Sequence, residues 1–142
     1  MVMQAQQNVT PPPDLDPFVG QWRANAGKSR PALSKKQATY TRTIRRDGVD
    51  LVFVSSGGPS KALIRDFRIR CDGAFHPLPT GHVLSCIYIA PDRVEGETNG
   101  PDGSHFYWTR EVSADRQVMT ISEYKDRRRA KLRSVMVLDR IN

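Results

Sequence analysis

The chain has 142 residues, enough for one domain with its own apolar core and too few for two of ordinary size. A composition of 38% hydrophobic and 26% charged residues excludes global disorder, and no run reaches the ~18 apolar residues of a transmembrane helix. The 22 Lys and Arg against 15 Asp and Glu leave a formal charge of +7, a field that attracts anions, acidic surfaces and nucleic acid but does not bear on the fold.

Residues 1–17 are Gln-rich and then Pro-rich, with Pro11, Pro12, Pro13 and Pro17. Prolines favour extended backbone and donate nothing to a ladder, so this stretch reads as a flexible tail ahead of a single domain at residues 18–142. The N-terminus has neither the basic region nor the apolar h-region of an intact signal peptide. The compartment is therefore open between the cytoplasm and export after removal of a signal not present here.

From Gly20 the chain reads as short strands divided by turns. A break at residues 28–31 ends the first strand. Residues 37–46 follow, rich in β-branched Thr39, Thr41, Thr43 and Ile44. Asp47-Gly48 between two strand-like runs is a strong hairpin signal, and residues 49–55 form the return strand. Beyond the turn at residues 56–60, residues 61–70 alternate with Leu63, Phe67 and Ile69 on one face, the period of a half-buried strand. Residues 74–78 make a short strand limited by Pro77 and Pro79.

Residues 82–90 and 93–98 pair across Pro91-Asp92, and residues 99–103 form a Gly-rich loop. Residues 104–113 place Phe106, Trp108 and Val112 on one face. Residues 117–125 and 130–141, joined by the charged turn at residues 126–129, complete about nine or ten strands. Short connections predict hairpin pairing, and closure removes exposed edges. The expected fold is thus all-β, an antiparallel up-and-down β-barrel, with a Greek-key sandwich as the competitor. Cys71 and Cys86 lack metal-type spacing; a bridge between them forms only if they fall on neighbouring strands.

The stretch Phe18-Val19-Gly20-Gln21-Trp22-Arg23-Ala24-Asn25-Ala26-Gly27-Lys28-Ser29 resembles the opening F-x-G-x-W-x-x-N-x-x-K-S of small bacterial lipocalin-like proteins of unassigned function. Cys71-Asp72-Gly73-Ala74-Phe75-His76-Pro77 is similar to their Y-D-G-x-x-x-P turn. The G-x-W element also looks like the first signature of the lipocalin and fatty-acid-binding (calycin) barrels. That resemblance implies that Gly20 and Trp22 mark one plugged end, with an arginine from a late strand over the tryptophan ring. Arg140 is the better candidate and Arg133 the other, in a cation–π contact worth ~0.5–2 kcal/mol. It also implies that a late-strand Tyr and Arg hold a carboxylate, which here selects Tyr124 and Arg133 as ligand-binding residues.

The remaining chemistry is sparse. His76, His82 and His105 lack metal-ligand spacing, and nothing in the pattern calls for a metal or cofactor. Glu95 and Glu97 share a strand face at a spacing of about 7 Å, compatible with acid–base work but commoner on a solvated face. No nucleophile elbow or phosphate loop is present, so an enzyme is the less favoured class. Three basic clusters stand out: residues 125–133, then Arg42, Arg45 and Arg46, then Arg65, Arg68 and Arg70. With Tyr40, Tyr107 or Tyr124 they can form a charged, aromatic platform for nucleic acid, without any accompanying motif. The leading expectation is a non-enzymatic barrel whose cavity takes a small apolar or amphipathic anion. Its alternatives are a basic surface for nucleic acid or an acidic partner, and an enzyme on a barrel scaffold.

Overall fold

A computed structural model of the chain describes residues 9–57 and 66–141. Ten strands make up its sheet: β1 (Gly20–Ala24), β2 (Thr41–Asp47), β3 (Asp50–Ser56), β4 (Phe67–Ile69), β5 (His76–Pro77), β6 (Val83–Ala90), β7 (Arg93–Asn99), β8 (His105–Val112), β9 (Val118–Tyr124) and β10 (Leu132–Arg140). Every pairing is antiparallel, in the order β4-β3-β2-β1-β10-β9-β8-β7-β6-β5. The meander closes where the first long strand meets the last, with Trp22 opposite Arg140 and Ala24 opposite Leu138. The result is a nearly closed barrel.

Its single seam lies between β4 and β5, where no ladder joins the two among the described residues. There Cys71 is bonded to Cys86 of β6, with a Cα–Cα distance of 4.5 Å. The Gly73 N–H donates to the Cys86 carbonyl at 2.9 Å and the Ser85 hydroxyl to the Gly73 carbonyl at 3.0 Å. The bridge that the sequence left open is therefore formed, and it staples the sheet where backbone pairing stops.

Several strands are shorter than their patterns. Residues 37–39 form a 3-10 turn, so β2 starts at Thr41, where the run of alternating burial begins. Of the expected strand at residues 61–70, Phe67–Ile69 is paired among the described residues; residues 61–65, with Leu63 and Arg65, lie outside them. The Asp47-Gly48 hairpin is tight, with Asp47 opposite Asp50 and Gly48 at a φ of 64° that favours glycine.

The stretch assigned to a tail is partly docked. Residues 1–8 lie outside the described residues, but Pro11, Asp16 and Pro17 are buried against the barrel end, and Val9 packs on the core. The reason is electrostatic as well as apolar: Asp16 is drawn in by Arg46.

Candidate functional site

The two ends of the barrel are built differently. At one end Gly20, Trp22 and Arg140 meet. Trp22 is fully buried, its indole N–H donates to the Phe18 carbonyl at 3.1 Å, and the Arg140 guanidinium carbon sits 4.2 Å from its ring centroid. Arg140 also donates to the carbonyls of Val19 and Pro17, each at 2.8 Å, and to that of Arg116. Burial and the charge of Arg116 push its pKa below the ordinary arginine value. Beside it, the Asp16 carboxylate accepts Arg46 at 2.7 Å, the Tyr88 hydroxyl at 2.9 Å and the Phe18 N–H at 2.9 Å. Burial, then the charge of Asp16, raises the Tyr88 phenol. The strap at residues 11–18 is thereby pinned over this end.

The inner wall then changes along its depth. Trp22, Ile44, Phe53, Val94, Met119 and Leu138 near this end are almost wholly buried. Towards the other end, residues of the same inward face remain partly exposed: Phe67, Phe106, Ile121, Glu123, Ser134 and Met136. Alternation along β8 and β9 fixes that face, because Trp108 pairs with Glu123, Arg110 with Ile121, and Val112 with Met119. The inner wall thus stays open to solvent at the mouth and is packed below it.

Two guanidinium groups occupy the boundary. Arg110 is buried inside, its guanidinium carbon 4.9 Å from the Phe53 centroid and 5.9 Å from that of Trp108. Arg42 lies 5.2 Å from the same Phe53 centroid, 5.2 Å from Tyr40 and 5.3 Å from Phe67, and its Nε donates to the Ser55 hydroxyl at 3.1 Å. Phe53 and Phe67 stack with centroids 4.5 Å apart. Arg110 donates only to the Met119 sulfur, at 3.8 Å, and its Nε is buried without a hydrogen-bond partner among the described residues. Burial first, and then the like charge of Arg42, push its pKa down to about 9. It remains protonated at neutral pH. A charge so placed is expensive unless something anionic completes it.

The site residues named from the sequence are not brought together. Tyr124 pairs with Tyr107, one position out of phase with the inward Trp108–Glu123 pair, so alternation turns its side chain to the outer face. Arg133 stands at a bulge in β10, on the rim of the mouth, 3.9 Å from Glu123 and 5.4 Å from the Phe106 centroid. Burial holds the Glu123 carboxyl above its ordinary range, and Arg133 partly offsets this. Arg110, which the sequence reading passed over, lies on the Phe106-Trp108-Val112 face at the position that period two assigns to the interior. Its charge masked that signal.

Glu95 and Glu97 face outward and are engaged by arginines: Glu95 by Arg93 at 3.4 Å and Arg129 at 3.9 Å, Glu97 by Arg127 at 3.7 Å. The basic clusters disperse in the same way. Arg46 binds Asp16, Arg68 bridges Asp47 and Asp50, and Arg70 binds Asp50, while Arg65 lies outside the described residues. His76 meets Asp72 at 2.9 Å, His82 meets Thr80, and His105 lies beside Tyr107. Among the described residues no three His, Cys, Asp or Glu gather as a metal site, and no helix is long and apolar enough to cross a membrane.

No protein-family profile matches the chain, and no curated protein matches it. Among solved structures it is similar to a luciferase domain from the dinoflagellate Lingulodinium polyedrum, with a TM-score of 0.57 and 14% sequence identity. The match covers 92% of this chain and 44% of that one, so the chain spans less than half the length of the luciferase domain. At this identity the likeness is one of fold.

Proposed function

We propose that this chain is a lipocalin-like binding barrel that takes a small amphipathic anion through its open mouth, with Arg110 and Arg42 holding the charged end. The observation that carries the reading is the buried Arg110 Nε, without a partner among the described residues, at the floor of an inner wall that stays accessible. An anionic oxygen there forms a charge-assisted hydrogen bond in a water-poor site, where such bonds are strongest. The aromatic wall of Tyr40, Phe53, Phe67 and Trp108 suits the apolar part, the usual division of labour in a ligand pocket. Arg133 at the rim serves anion entry, while Tyr124 on the outer face has no part in it.

Fluorescence titration with anilinonaphthalene sulfonate and with its uncharged counterpart N-phenylnaphthylamine tests this. Wild type binds the sulfonate more tightly. Arg110→Met lowers sulfonate affinity by about tenfold or more, the loss of one charge-assisted contact, and leaves the neutral dye unchanged. Equal binding of both dyes by both proteins, or no binding at all, refutes the reading.

A further inference from the structure

The basic cluster at residues 125–133 stays together where the others disperse. It holds six cations, Lys125, Arg127, Arg128, Arg129, Lys131 and Arg133, against the single acid Asp126. The turn from β9 to β10 that carries it is tied by its own backbone. The Lys125 N–H donates to the Lys131 carbonyl at 2.9 Å, and the Asp126 carboxylate accepts the N–H groups of Ala130 and Lys131 at 3.1 and 2.9 Å. Arg129 fastens the turn to the barrel wall, donating to the Gly96 carbonyl at 2.8 Å and to that of Trp108 at 3.4 Å. Arg127, Arg129 and Arg133 each face a glutamate, at 3.7, 3.9 and 3.9 Å. Lys125, Arg128 and Lys131 are exposed, with no ion pair among the described residues.

Beside this turn the outer wall carries flat and apolar side chains. Leu132, Tyr124 and Tyr107 stand opposite one another across β10, β9 and β8. Alternation turns both tyrosines outward, one position out of phase with the inward Glu123 and Trp108, and neither belongs to the core. Leu132 is exposed next to Tyr124. The Arg127 guanidinium carbon lies 5.6 Å from the Tyr107 centroid, and the Arg127 side chain is itself mostly exposed.

Flat faces beside exposed cations suit a polymer that alternates planar bases with phosphates. Bases stack on aromatic rings and on guanidinium planes with little regard to sequence, while lysines and arginines take the phosphates. An acidic peptide uses the cations and leaves the flat faces idle. A duplex keeps its base faces within its own stack, so stacking favours a single strand. We propose that this outer patch binds single-stranded nucleic acid, with bases on Tyr124 and on the Arg127–Tyr107 pair and phosphates at Lys125, Arg128 and Lys131. The patch lies on the opposite face of the wall from Arg110 and does not depend on the anion reading above.

Fluorescence anisotropy of the full chain with a labelled oligothymidylate of about 12 nucleotides tests this. With about three to four phosphates engaged, log affinity falls against log salt with a slope of about −2 to −3. A duplex of the same length binds about tenfold more weakly, having no free base to stack. Tyr124→Leu weakens single-strand binding by about fivefold or more, with the slope and the duplex affinity unchanged. Arg127→Lys, which keeps the charge and removes the plane, also weakens the single strand alone. Arg128→Gln reduces the slope by about 0.7, whereas Arg45→Gln, the same loss of charge on exposed β2, leaves it unchanged. Arg110→Met binds the oligonucleotide as wild type does. Absence of binding at low salt, or equal binding of single strand, duplex and heparin that Tyr124→Leu does not move, overturns the proposal. So do phosphatidylserine vesicles bound through Tyr124 more tightly than the oligonucleotide, which assign the patch to a membrane surface instead.

Discussion

Arg110→Met should make the ligand-free protein more stable while removing its anion binding. Burial and the neighbouring Arg42 depress the Arg110 pKa from the ordinary arginine value to about 9. At about 1.4 kcal/mol per pH unit, the charge costs the fold on the order of 5 kcal/mol. Against this stand the cation–π contacts to Phe53 and Trp108, worth ~0.5–2 kcal/mol each, which methionine replaces in part with its own apolar and sulfur contacts. The expected net gain is ~1–4 kcal/mol, the range found when buried charges give way to apolar side chains.

The pH dependence follows from the same depression. Above about pH 9 the folded chain releases the Arg110 proton while the unfolded chain still holds it, so wild-type stability gains with rising pH. Below about pH 9 both states are protonated and the penalty is full. The advantage of the variant is therefore largest near neutral pH and shrinks as the pH climbs through 9. Urea unfolding of both proteins, followed by tryptophan fluorescence near pH 7 and at about pH 10, measures the difference; titrations common to both cancel. A variant less stable than wild type by more than about 1 kcal/mol, or a difference that ignores pH, refutes the reasoning. In a saturating anion the order reverses, because only wild type gains the binding free energy.

Other substitutions probe the frame around the site. Asp16→Ala leaves Arg46 buried without its carboxylate and should cost ~3–5 kcal/mol in urea unfolding, with residues 11–18 becoming accessible to protease. Reducing the Cys71–Cys86 bond should cost about 3 kcal/mol, as expected for a loop of this size, and hydrogen exchange should rise first along β4 and β6 at the seam. Gly96→Ala sets a methyl group into the Trp108 ring, which lies over Gly96 inside the barrel; a loss of ~1–3 kcal/mol and an altered near-UV circular dichroism spectrum are expected.

Much of the barrel was legible because strands write their own periodicity. Alternating burial in β7, with Val94, Gly96 and Thr98 inward, and the two-residue turn at Gly48 are local properties of the chain. The same period held the candidate site in plain view: counting by twos through Phe106, Trp108 and Val112 passes through Arg110. Its charge argued for the surface, and only the surrounding strands show that this face is interior. Tyr124 shows the complementary limit. Its residue type suited a ligand site, but its register with Tyr107 turns it outward.

Residue order alone thus determined the strands, their turns and the Gly20-Gln21-Trp22 opening, since each depends on neighbours within a few positions. Tertiary structure decided what depends on distant residues meeting. It set Asp16 against Arg46, Cys71 against Cys86, Arg140 over Trp22, and two arginines around the Phe53 ring. The cost or value of a charge is set by what surrounds it, and closing the barrel turned Arg110 from one of 22 basic residues into a cation buried against the Phe53 ring.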